Sequence, residues 1–123
     1  FTAAMRGIVP HVNTLGLAAC QAAYRDCDEW HAALIATLRA NRDRVESVVA
    51  AIPGLSMTHV EATYLAWIDA RGLGVDDPAA FFEAAGVGLS SGGDFGLPGW
   101  VRLNFGCPLT TLDSALERMA SVC

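Results

Sequence analysis

Lysine is absent from the 123 residues, and all eight basic side chains are arginine. Chemistry that needs a lysine amine as nucleophile must find it in another chain segment. Charge is sparse, at 17% of residues, and thirteen acidic groups against eight basic ones leave a net charge of −5. Nucleic acid and anionic membranes select for clustered basic side chains, so neither is expected as the main partner. No uninterrupted apolar run approaches the roughly 20 residues of a membrane-spanning helix. The first ten residues lack the basic-then-apolar order of a secretory signal. There is no Cys-x-x-Cys pair, and four cysteines (Cys20, Cys27, Cys107 and Cys123) are few for a disulfide scaffold. A reduced, cytoplasmic protein with buried thiols is therefore expected. No phosphate-loop pattern is spelled by the glycines of Ser91-Gly92-Gly93-Asp94-Phe95-Gly96. Internal repeats and low-complexity tracts are also missing.

Apolar residues, by contrast, make up 53% of the chain. Such a chain buries enough surface to offset its ordering entropy, and its length suits one domain with one core. It begins at Phe1, without Met, in a half-apolar segment. That suggests a piece of a longer polypeptide, with part of its apolar surface turned toward an absent domain.

Periodicity divides the chain into helices first and strands later. Residues 13–24 are rich in Ala and Leu, with Asn13 or Thr14 placed to cap a helix. Residues 28–51 repeat Leu34, Leu38, Val45, Val49 and Ile52 at helical spacing until Pro53-Gly54 stops them. A strand is predicted over 55–60 and an inner strand over 63–69, paired across Glu61 and Ala62. Asp77-Pro78 starts a short helix that Gly86 ends, and 87–90 suits an edge strand. Residues 91–99 read as a flexible loop, either a lid or a long turn. In residues 100–107, Val101, Leu103 and Phe105 alternate with Trp100, Arg102 and Asn104, the signature of a strand with two different faces. Thr110 and Asp113 match a capping box for a last helix carrying Leu112, Leu116 and Met119. The fold class is α+β: a small, mainly antiparallel sheet with helices packed on one face.

Arg102 stands out chemically. A guanidinium on the non-core face of a strand offers a planar fork that pairs bidentately with a carboxylate. Spacing alone favours an ordinary solvated arginine or a local ion pair. Tyr64 either shares that cleft or packs in the core. His11, His31 and His59 have no Ser or Cys partner at motif spacing and read as structural or exposed. Cys20, Cys27 and His31 fall at i, i+7 and i+11, but metal ligands usually converge from closer spacing, so no metal is expected.

Two strands then carry a resemblance. Ala62-Thr63-Tyr64-Leu65-Ala66-Trp67-Ile68-Asp69, residues 86–93, and Val101-Arg102-Leu103-Asn104-Phe105-Gly106-Cys107-Pro108 resemble the C-terminal part of fold-type I pyridoxal-phosphate enzymes. Within them the likeness is to class I/II aminotransferases, in the cystathionine β-lyase-like (C–S lyase) branch. The likeness covers most of the chain but is thin before Asp28. It implies that residues 1–123 are the C-terminal small domain of such an enzyme, with residues 1–27 a helical connection from a missing large domain. It also implies that Arg102 binds the α-carboxylate of an amino-acid substrate; Tyr64, if it shares the cleft, is the second candidate substrate-binding residue. Pyridoxal phosphate would be held in the full-length enzyme by a lysine of the large domain, and none is expected on this piece, which would be inert alone. Family members are usually dimers, so a homodimer is implied, with the segment around Pro10 to Asn13 near its interface. The chemistry is either transamination or release of a β-thiol with pyruvate and ammonia. The competing reading is an autonomous α+β interaction module with an incidental arginine.

Overall fold

The computed structural model describes residues 2–5, 7 and 12–123. His11 and Pro10 lie outside them. Two compact units divide the chain, residues 1–35 and 36–123.

The first unit contains α1 (Thr2–Met5), α2 (Thr14–Asp26) and the opening turns of α3 (Asp28–Ala51). Asn13 caps α2, its side-chain oxygen accepting the Gly16 N–H at 2.7 Å and satisfying one of the orphan donors of the first turn. The helix breaks at Cys27, and α3 restarts at once with Asp28 and Glu29 where the helix dipole favours negative charge. That break interrupts the stripe of Cys20, Cys27 and His31. No residue of α2 is buried, and Leu15, Leu17, Tyr24 and Trp30 are all exposed. The expected burial of the thiols is therefore overturned: Cys20 and Cys123 are exposed, and Cys27 and Cys107 are half-buried. Cys20 rides on a helix with no buried residue, and none of the described residues of its unit is buried; Cys123 ends the chain. All four are free thiols.

The second unit is built on a four-stranded antiparallel sheet. Its strands are β1 (Ser56–Met57), β2 (Leu65–Asp69), β3 (Ser90–Ser91) and β4 (Trp100–Asn104), in spatial order β1-β2-β4-β3. One face presents Ala66, Ile68, Val101 and Leu103 to a core shared with Val45 and Val49 of α3, Phe82 of α4 (Pro78–Ala84), and Leu112, Leu116 and Met119 of α5 (Leu109–Val122). Each of these larger side chains contributes about 1.5–3 kcal/mol by leaving water. Helices on one face of a small antiparallel sheet is the α+β arrangement that the periodicity implies. Among the described residues no helix is long and apolar enough to cross a membrane.

Local departures from the sequence expectations have physical causes. β1 is only two residues long, because the segment after it is taken up by a carboxylate instead of a strand partner. Glu46 accepts the Val60 N–H at 3.0 Å and stands 3.0 Å from His59 Nδ1. Burial pushes the Glu46 carboxyl up, but the Val60 N–H and His59 outweigh it and hold the group below its ordinary range. The capping box does not form. Pro108, at φ −56°, already occupies the N-cap position, so Thr110 lies inside α5 and Asp113 pairs with Arg44 at 2.8 Å. The edge strand starts later than expected, at Ser90. In place of an unstructured loop, Gly92–Phe95 forms a 3-10 turn.

Asn41 is a polar residue sunk in this core. Its Nδ2 donates to the carbonyls of Phe105 and Cys107, each at 2.9 Å, and so ties α3 to the end of β4. Asn41→Ala would strand both carbonyls away from solvent. It is expected to lower stability by about 1–3 kcal/mol, read as a lower urea midpoint at unchanged slope. An unchanged midpoint would show that the two bonds contribute nothing net.

Candidate functional site

The sheet face opposite the core is where polar chemistry collects. In the β2–β4 ladder Trp67 stands opposite Arg102 and Asp69 opposite Trp100, and Ser90 of β3 flanks Arg102 on its other side. Directly opposed residues share a face, so Ser90, Arg102 and Trp67 form one rank across three strands. Trp100, Arg102 and Asn104 lie on the same face of β4, as their alternation implies. Asn104 is committed elsewhere, however, because its side-chain oxygen accepts the Gly106 N–H at 2.9 Å.

Arg102 is half-buried among these groups. Its Nη2 donates to Ser90 Oγ at 3.2 Å, and its guanidinium lies over the Phe95 ring, 4.6 Å from the centroid. Phe95 in turn meets Trp67 edge-on, with ring centroids 5.5 Å apart and planes at 82°. A guanidinium has five N–H donors, and one bond to a hydroxyl leaves most of the fork unclaimed.

Other arginines show why this matters. Arg71 also stacks on an aromatic, Trp100, at 5.6 Å, but both oxygens of Asp69 already hold it, at 2.9 and 2.7 Å. That pairing keeps the Asp69 carboxyl below its ordinary range, mainly through the Arg71 hydrogen bond. Arg25 is taken by Asp26, Arg42 by Asp43 and Arg44 by Asp113. Arg102, Arg39 and Arg118 have no carboxylate partner among the described residues, and the last two are exposed. Arg102 alone of the three is half-buried, with an aromatic ring behind it. A guanidinium in that setting suits a carboxylate brought by a ligand.

Tyr64 lies at the other end of β2, three residues from Trp67, or about 10 Å along a strand. It does not join the Arg102 rank. Thr63 adopts φ +70°, a left-handed conformation that β-branched residues rarely take, and this breaks the alternation just before the strand. Tyr64 is consequently exposed rather than core, its ring lying against Gly106, where a Cβ would stand 3.2 Å from ring atoms. His59 is bound to Glu46, and His31 is exposed. Among the described residues no three His, Cys, Asp or Glu side chains stand close enough to hold a metal.

Sequence reasoning passed over Phe95 and Ser90, which touch Arg102 directly. The available signal was the serine before two glycines. Ser91 Oγ accepts the Gly93 N–H at 3.2 Å and starts the turn that carries Phe95 to the site.

The family model for aminotransferase class I and II matches residues 2–119. The crystal structure of OvoB superposes with a TM-score of 0.91 at 51% identity, covering 95% of this chain and 31% of that one. Cystalysin from Treponema denticola, whose crystal structure contains pyridoxal 5′-phosphate, gives a TM-score of 0.76 at 30% identity over 89% of this chain and 29% of its own. Cystathionine beta-lyase of Corynebacterium glutamicum is 33% identical over 114 residues, 90% of this chain and 31% of that protein. The chain thus spans about 31% of the length of the curated relatives first matched. With nearly its whole described length inside the family match, the chain belongs to the aminotransferase class I and II family.

Proposed function

We propose that this chain is the C-terminal small domain of a pyridoxal-phosphate-dependent enzyme acting on amino acids, and that Arg102 binds the substrate α-carboxylate. The observation that carries the proposal is a half-buried guanidinium, backed by a ring and a hydroxyl, with no carboxylate of the described residues to neutralise it. A carboxylate delivered to that fork accepts two parallel N–H bonds, which fix its plane as well as its position. Holding the carboxylate at two points orients the bonds at the neighbouring carbon, and orientation is what a positioned reactive group elsewhere in the enzyme requires. Tyr64 is the second substrate-facing residue in this proposal, its exposed ring available at the far end of β2.

The residues of this chain do not fit covalent attachment of pyridoxal phosphate, because no lysine is among them. The cofactor and its lysine belong to the remainder of a polypeptide about three times as long, in keeping with the 31% coverage of the relatives. The exposed apolar residues Leu15, Leu17, Tyr24 and Trp30 support a need for that remainder. The intact protein is a homodimer in this proposal. Between transamination and elimination of a β-thiol, the cystathionine beta-lyase of Corynebacterium glutamicum among the relatives favours elimination.

In the full-length enzyme, Arg102→Ala is expected to remove about 2–4 kcal/mol of substrate binding, a fall of roughly 30- to 1,000-fold in kcat/KM with L-cystathionine as probe, mostly through KM. Cofactor absorbance should persist. Arg102→Lys should recover only part of the loss, since an ammonium lacks the fork. An unchanged KM in Arg102→Ala would refute the carboxylate role. The isolated 123-residue chain, mixed with pyridoxal phosphate and L-cystathionine, should release no thiol. Sustained turnover would contradict its inertness alone.

A further inference from the structure

We infer that Phe95 and Ser90 are positioning residues for Arg102, and that the glycine-rich turn between β3 and β4 serves to hold Phe95 over the guanidinium. The inference rests on Arg102 being the carboxylate-binding group and identifies what makes it competent.

An arginine side chain has many rotamers, and every orientation lost on gripping a ligand weakens the grip. Here three neighbours restrict it beforehand. Ser90 Oγ accepts from Nη2 at 3.2 Å and limits rotation of the guanidinium within its plane. Phe95 covers one face of that plane, its centroid 4.6 Å from Cζ, so the ring's negative face meets the delocalised cation. Trp67, opposite Arg102 in the ladder, braces the Phe95 ring at 5.5 Å. With water displaced from one face, the charge of Arg102 is less screened toward a carboxylate approaching along its open edge.

The turn is constructed for this placement. Ser91 Oγ caps it through the Gly93 N–H, and the Leu97 N–H closes it on the Gly92 carbonyl at 2.8 Å. Gly92 is buried where a Cβ would run into the Leu97 carbonyl and come within 2.8 Å of Trp100 Cβ. Gly96 follows Phe95 at φ +79°, its N–H closing on Gly92 and Gly93, and a side chain there would be strained. These constraints leave Phe95, 49% exposed, with the guanidinium and Trp67 as its ring and cation partners among the described residues. A phenylalanine half in solvent, over a cation that has no acid partner among the described residues, does not act as a core residue.

The test uses the full-length enzyme and a matched pair of competitive inhibitors, 3-(methylthio)propionate and its amide. Their ratio of inhibition constants isolates carboxylate recognition from everything else. Phe95→Leu, which keeps apolar bulk and loses the ring, should raise the KM of L-cystathionine about 3- to 30-fold with kcat within about twofold. It should shrink the carboxylate-to-amide ratio by a similar factor, while the amide constant stays fixed. Phe95→Tyr should restore both. Ser90→Ala should give a smaller shift of the same kind, about 2- to 5-fold, rescued by Ser90→Thr. The serine pair keeps the test open should Phe95→Leu not fold. The inference is overturned if Phe95→Leu leaves KM and the ratio at wild-type values, weakens carboxylate and amide alike, or is matched by Phe95→Tyr. Arg102→Ala run alongside separates the two failures. A collapsed ratio in Arg102→Ala with an intact one in Phe95→Leu removes only the positioning role. An intact ratio in Arg102→Ala removes the carboxylate site and the positioning role together.

Discussion

The register between β2 and β4 is the constraint on which the site depends. Strand side chains alternate with a period of two, so a slip of one residue would carry Arg102 toward the helices and expose Val101 and Leu103. The buried set Ala66, Ile68, Val101 and Leu103 forbids that slip, because exposing it forfeits the shared core. Asn41 adds a second lock at the end of β4 by binding the carbonyls of Phe105 and Cys107. The same packing that stabilises the sheet therefore aims the guanidinium. Core and site are two faces of one ladder.

Among the described residues, charge is distributed so that one half-buried arginine, Arg102, keeps no carboxylate partner. Thirteen acidic residues against eight arginines could neutralise every guanidinium. Instead Asp26, Asp43, Asp69 and Asp113 each take a neighbouring arginine, and Glu46 turns to His59 and the Val60 N–H. Most of these pairs are exposed and contribute little to stability. Their consequence at the site is selective. The Asp69–Arg71 pair sits one rank from Arg102 on the same face, yet its carboxylate is fully engaged by Arg71. Among the described residues of that face, Arg102 is the half-buried cation without an acid partner.

The sheet's two faces, the long α3 and the core of α5 were legible because each rests on a strict period of the sequence. Arg102 could be assigned to the outer face by counting from Val101 and Leu103. That no carboxylate of the described residues pairs with it could not, since that depends on which aspartates reach which arginines. Phe95 escaped notice because its turn follows neither helical nor strand spacing. Asn41 did leave a trace: it interrupts the apolar stripe between Leu38 and Val45, where a polar residue must find partners or stay out. Tyr64 was ambiguous between core and cleft because a left-handed Thr63 breaks the alternation, and nothing in the residue type announces that conformation.

Where a substrate's acid group sits decides whether Arg102 is a binding residue. A crystal structure of the full-length enzyme with a bound amino-acid analogue measures that directly. Both carboxylate oxygens should lie about 2.7–2.9 Å from nitrogens of Arg102, with the Phe95 ring still across its face. A carboxylate bound to another cation, with the Arg102 fork engaged elsewhere or turned to solvent, would contradict it.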